Sequence, residues 1–185
     1  WITVPVASKG LYTQKLCEVQ IDNDQVWKKK YKGRLEHVCG KYPFWNDLKE
    51  IVYPSLDKPF ERLTDLNLAL INNIREYLEI DTPTALASEM SCEDLKGSDL
   101  ILEICGRANA DLYTSGPDGI NYLESEKFLK NRIEIVYHNF QHPEYPQLGK
   151  DFTSHLSVLD LIANCGRKSL DFINTSKEKD TKNAS

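Results

Sequence analysis

"DLYTSGPDGINYL", Asp111 to Leu123, decides how this chain is read. Its opening, "DLYTSG", has the apolar and β-branched character of a strand. It runs into a loop where Gly116, Pro117 and Gly119 fall together, and Asn-Tyr-Leu then opens an apolar stretch. "LESEKFLKN" follows as a short helix, and "RIEIVYHNF" as a second strand with Ile133, Ile135 and Tyr137 on one side. Strands alternating with helices predict an α/β fold with a layered, mostly parallel sheet and flanking helices. In such sheets ligands bind beyond the carboxyl ends of the strands, where this loop sits. Two readings of the loop stand side by side. Gly, Pro and Asp are the residues that turns demand. Glycines also let backbone approach a ligand without a Cβ in the way.

Working outward, "WITVPV", "LCEVQI" and "TPTALASEM" read as strands. A helical insertion is predicted over about residues 24–80. Trp27, Tyr31, Leu35 and Val38 recur at helical spacing in its first helix, beside a basic face of Lys28, Lys29, Lys30, Lys32 and Arg34. That face suits solvent or a phosphate. Pro43, Pro54 and Pro59 are expected to break the next segment into short pieces. A longer helix over about 60–78 carries Leu63, Leu66, Leu70, Ile74 and Tyr77 as its buried stripe, with Asp65 and Asn67 off it. "SCEDLKGSDLILEICGRANA" and "SHLSVLDLIANCG" are helical. Residues 1–172 are expected to form one domain, and 173–185 a polar tail without fixed structure.

The totals narrow the function. The chain has 185 residues, 41 % of them hydrophobic, enough for a full core. A net charge of −5 argues against a nucleic-acid partner. No apolar run is long enough for a membrane span. Five widely spaced cysteines without a C-x-x-C pattern predict neither a zinc site nor a disulfide framework, and read as small buried hydrophobes in a reducing, cytoplasmic setting. There the glycosylation patterns at Asn174 and Asn183 carry no meaning. No histidines have metal-ligand spacing, so no metal is expected, and no cofactor is assigned.

Candidate chemistry lies in three places. In the first loop, Ser115, Gly116, Asp118, Gly119, Asn121 and Tyr122 offer backbone and side-chain contacts to a ligand. In "HNFQHPEYPQ", His138 and His142 flank Tyr145 and Gln147, and a histidine is well placed for proton transfer near neutral pH. In the last helix, Ser157, Asp160 and Asn164 share one face, as a packing seam or a pocket wall. Neither a Walker loop nor a nucleophile elbow is present.

"WITVPV", "W-K-K-K-Y" with "YPFW", "LTDLNLALINNI", "LILEIC", "LYTSGPDGINYL", "HPEYPQ" and "LSVLDLIANCG" follow one another in this order. The ordered set resembles the WbqC-like family of bacterial proteins over nearly the whole chain apart from the tail. Members commonly begin with a Gln-Pro-x-aromatic-x-Pro segment, which this chain lacks. That departure implies residues upstream of Trp1, where part of the site can lie. The family is associated with surface-polysaccharide (O-antigen) biosynthesis in lipopolysaccharide-bearing bacteria. The resemblance implies a transferase that moves an amino-acyl or acyl group to an amino sugar. Its pattern falls on Ser115, Gly116, Gly119, Tyr122, Leu123, His142, Pro143, Tyr145, Gln147, Ser157, Asp160, Asn164, Asp65 and Asn67. His142 is then the expected general base and Asp160 its catalytic partner. The other polar residues bind a small sugar substrate, possibly nucleotide-linked. A non-catalytic carbohydrate-binding or scaffolding subunit, docking through Tyr42, Phe44, Trp45 and Tyr53, is the competing expectation.

Overall fold

The computed structural model describes residues 2–11, 13–92, 94–149 and 151–181, with side chains to residue 175. The chain divides into two compact units, Trp1–Asp81 with His142–Thr175, and Thr82–Gln141 with Ser176–Ser185.

The first unit is helical. Helices α1 (Trp27–Cys39), α2 (Trp45–Asp57) and α3 (Leu63–Tyr77) pack with a later helix, Val158–Cys165. Their apolar stripes meet in a core of Leu35, Cys39, Leu48, Val52, Leu56, Leu66, Ile162 and Ala163. The expected α3 stripe is seated here, with Leu66 buried and Leu63, Leu70, Ile74 and Tyr77 packed against it. Polar ties join α2 and α3. Asn73 donates to the Ile51 carbonyl at 2.8 Å and to the Ser55 hydroxyl at 3.0 Å. The Tyr77 hydroxyl donates to Asp47 at 2.6 Å.

The second unit is the α/β part. Helix α4 (Gly97–Arg107) precedes strand β1 (Leu112–Ser115), helix α5 (Ser125–Lys130) and strand β2 (Glu134–Tyr137). The strands pair in parallel, with Leu112 opposite Glu134 and Ser115 opposite Tyr137. The fold is therefore broadly α/β with a small parallel sheet. Cys105, Leu123, Phe128 and Ile133 form its core, and the Phe128 ring stacks on Tyr113 at 6.0 Å. Ser98 and Lys127 tie α4 to the start of α5. The Ser98 hydroxyl accepts from the Glu124 N–H at 3.0 Å, and Lys127 bridges Asp99 and Glu124.

Several expected elements take another form. "WITVPV" and "LCEVQI" make isolated bridges, Val6 with Ile21 and Gln20 with Arg62, and Leu16–Glu18 is a 3-10 turn; Trp1 lies outside the described residues. "TPTALASEM" is no strand: it is largely exposed and ends in a 3-10 turn at Ala87–Glu89. Pro83 removes a ladder donor there, and Leu86 and Met90 are the only large apolar side chains. Pro54 does not break α2, which continues to Asp57. Burial of Ser55 and Leu56 just beyond the proline outweighs the one hydrogen bond it removes. In the polar tail, helix α7 (Ser169–Thr181) begins before residue 173 and runs on to Thr181; residues 182–185, with Asn183, lie outside the described residues.

Helix α6 (Val158–Cys165) ends at Gly166, where φ is +58° and ψ −139°. A Cβ there would stand 2.5 Å from the Phe44 ring. Gly166→Ala combines a backbone region that side chains avoid with overpacking, and should cost at least about 2 kcal/mol. Gly33 lies within α1 with open space around it, so Gly33→Ala should stabilise by roughly 0.5–1 kcal/mol. Urea unfolding of both variants checks the pair; an unchanged midpoint for Gly166→Ala would mean that Phe44 moves aside freely.

Candidate functional site

The first unit places His142, Tyr145, Gln147, Ser157, Asp160 and Asn164 on one segment and the helix that it leads into. Ser157 caps α6: its hydroxyl accepts from the Leu159 N–H at 3.3 Å, so the helix starts at Val158 and not at Ser154. One turn in, the Asp160 carboxylate accepts from the Tyr145 hydroxyl at 2.8 Å and from the Gln147 amide at 3.3 Å. Gln147 also closes a ring with Thr153, donating to its carbonyl at 2.9 Å and accepting from its N–H at 2.8 Å. Asn164 is buried. It donates to the Asp160 carbonyl at 2.8 Å and accepts from the Leu148 N–H at 3.0 Å. The polar face of α6 therefore fastens the loop, residue by residue.

The electrostatics follow from the carboxylate. Burial, then the hydrogen bond to Asp160, pushes the Tyr145 phenol up to about 12. Burial, then the same charge, raises the Tyr42 phenol and the Cys39 and Cys165 thiols. All four stay protonated near neutral pH, which suits donors and fillers, not nucleophiles.

His142 stands at the outer end of this group. Its half-buried ring lies 5.0 Å from the His155 ring, 6.0 Å from Phe152 and 6.1 Å from Tyr145. Tyr145 is boxed edge-on by Phe152 at 5.5 Å and by Phe172 at 6.2 Å. Asp160 reaches the imidazole through Tyr145 and does not hold it directly. His155, expected in the first helical turn, instead precedes the helix with φ at +59° and meets the Ser154 hydroxyl at 2.8 Å. Sequence reading missed Phe152 and His155 as ring partners of His142. Their signal was the aromatic interleaving of "HPEY" and "DFTSH".

Asp65 and Asn67 stand apart from this group. Asp65 pairs with Arg62 at 3.4 Å in the first turn of α3, and Asn67 is exposed.

The residues of the glycine-rich loop belong to the second unit. Pro117–Asn121 coils into a 3-10 turn. The N–H groups of Gly119, Tyr122 and Leu123 already donate within it, to Gly116 and Gly119 carbonyls. Gly119 is buried, and a Cβ there would collide with the Ser115 hydroxyl and stand 3.0 Å from Leu123. Ser115 is buried and donates to the Gly116 carbonyl at 3.0 Å. Packing against Ser115 thus explains the glycine at 119. Asp118, Asn121 and Tyr122 are exposed, and Gly116 has open space around it. A recess in this unit lies at the other end of the strands, between Leu112, Leu129, Arg132 and Glu134. Among the described residues, no group of three or more His, Cys, Asp or Glu side chains is placed to hold a metal ion. No helix there is long and apolar enough to cross a membrane.

The Tyr145–Asp160 bond makes a measurable prediction. The folded phenol holds its proton to about 12, against ~10 for a free tyrosine. Its stabilisation is therefore complete below pH 10 and is lost as pH rises toward 12. Tyr145→Phe should lower stability at neutral pH by about 2 kcal/mol and flatten part of that alkaline fall. Urea midpoints at pH 8 and pH 11 decide it. An identical pH slope in both proteins would show that Asp160 does not hold this hydroxyl.

Comparison with known proteins now bears on the chain as a whole. An uncharacterized protein of Mycobacterium tuberculosis, Rv1507c, is 30 % identical over 175 residues, spanning 94 % of this chain and 75 % of the relative. No solved structure matches. The family model described as the WbqC-like protein family matches residues 1–172, which takes in most of both units and every residue of the Asp160 group, and the chain belongs to that family.

Proposed function

We propose that this chain is a transferase that modifies a sugar, moving an amino-acyl or acyl group from an activated donor to an amino sugar. The observation that carries the reading is an imidazole walled by rings, on a loop that α6 fastens through Asp160. In the reaction His142 takes the proton of the acceptor amine as its nitrogen attacks the acyl carbon, and the donor's leaving group departs with a proton. Asp160 is a positioning residue: it acts through Tyr145 and Gln147, which hold the loop at the register where His142 meets substrate. Phe152, exposed beside the imidazole, offers its ring to the apolar face of the sugar. The family's association with bacterial surface-polysaccharide (O-antigen) biosynthesis supports a sugar acceptor, nucleotide-linked in a cytoplasmic setting.

One observation favours a second reading, though not at the surface expected for it, because Tyr42, Trp45 and Tyr53 pack against the core and the Phe44 ring lies against Gly166. Leu148, Phe152 and Leu156 are all exposed on the loop segment that carries His142. A carbohydrate-binding or scaffolding subunit would use that apolar surface without chemistry.

A ligand panel of nucleotide sugars, amino-sugar nucleotides, ATP and acyl-coenzyme A, read by thermal unfolding, comes first. A ligand at ~100 times its dissociation constant should stabilise by ~2.7 kcal/mol. With the substrate pair so identified, His142→Ala should lower turnover by on the order of a hundredfold or more. Full turnover in that variant would remove His142 as base. Binding without turnover in the wild type, abolished by Phe152→Ala, would decide for the second reading.

A further inference from the structure

Five cations line α1, and two of them have partners. Lys28 donates to the Lys58 carbonyl at 2.7 Å. Lys32 pairs with Asp57 at 2.5 Å and lies over the Tyr53 ring. Lys30 and Arg34 differ. They stand four residues apart on one face of the helix, where like charges repel. Among the described residues neither makes a hydrogen bond or an ion pair. Both line a recess of about 230 Å³ between α1 and the segment Ile2–Pro5.

The rest of the lining fits the charge. Thr3 and Gln25 bring polar side chains to the lining, Trp27 contributes to it, and no acidic residue lines the recess. Tyr31 sits between the two cations in sequence and faces the same space. Its hydroxyl has no hydrogen-bond partner among the described residues. Burial raises its phenol, so it remains a neutral donor near neutral pH. Residues bearing a guanidinium, an ammonium and two hydroxyls line one recess without an acidic residue among them, a donor set for a multiply charged oxyanion.

We propose that this recess binds a phosphate monoester, with Arg34 and Lys30 holding the charge and Tyr31 and Thr3 donating to its oxygens. The recess is built in part by α1, remote in sequence from the His142 loop, and the proposal stands whether or not the transferase reading does. The volume admits a phosphoryl group with a small body attached.

Trp27 lines the recess. The chain's tryptophan emission, to which Trp1 and Trp45 also contribute, is followed while potassium phosphate is added, against potassium chloride at matched ionic strength, and again with glucose 1-phosphate. A saturable change with phosphate but not chloride is expected. Arg34→Gln and Lys30→Gln should each weaken it at least tenfold, and Lys29→Gln should leave it in place. A tighter titration with glucose 1-phosphate would identify a phosphorylated body as the ligand; equal affinity would identify the phosphoryl group alone. The Lys30→Gln, Arg34→Gln double variant should melt at or above the wild-type temperature, because only a repulsion is removed. No saturable change in the wild type would overturn the proposal. So would an unaltered titration in the double variant, or a clear fall in its melting temperature.

Discussion

The Asp160 carboxylate sits in the first turn of an eight-residue helix and gathers the chain around it. It holds Tyr145 and Gln147 by hydrogen bonds, and through them the loop that presents His142. The opposite face of the same helix is core: Ile162 and Ala163 are fully buried, and the Ala163 carbonyl accepts the Phe44 N–H at 3.0 Å where α2 begins. One short helix therefore joins the packed interior to the candidate site. A carboxylate accepting from two uncharged donors tolerates partial burial, since the hydrogen bonds replace lost hydration. Burial first, and then this charge, raise the nearby phenols and thiols and keep them protonated near neutral pH.

Gly166 extends this dependence to the helix end. The Phe44 ring occupies the space where any side chain would go, and the buried Ser169 hydroxyl donates to the Gly166 carbonyl at 2.6 Å. Packing, backbone conformation and hydrogen bonding agree at that point, and such agreement across levels is what gives a sequence one structure. The second unit is held differently. A two-stranded parallel sheet has little hydrogen bonding of its own, and its stability comes from apolar cover: Cys105 of α4, Phe128 of α5 and the stack of Phe128 on Tyr113.

Much of this was legible where periodicity was strong. The α3 stripe, the two strands around "SGPDG" and the helix between them follow from spacing alone. The terminal "strands" were not, because "WITVPV" and "LCEVQI" have strand composition but find only single-residue bridges. Pro54 shows the converse: a local breaker lies within a helix because Leu48, Val52 and Leu56 on its buried face are worth more than one backbone bond. The glycine-rich loop shows a third case. Its composition fits a ligand cradle and a packed turn equally well. Gly119 against Ser115 could be recognised only once the turn was closed.

The sequence by itself determined the family, the helical periods of α3 and α6, the β-α-β order of the second unit, and the residue types in the Asp160 group; in α1 the expected stripe holds at Trp27 and Leu35, but Cys39 is buried in place of Val38. These are local or ordered along the chain, so one dimension carries them. Tertiary structure decided which side chains meet. It put Tyr145 and Gln147, not His142, on the Asp160 carboxylate; it set Phe152 and His155 against the imidazole; and it left Lys30 and Arg34 facing a recess while Lys28 and Lys32 found partners. Such contacts depend on where loops land on helices, and loop paths follow from packing between residues distant in sequence, which no local pattern encodes.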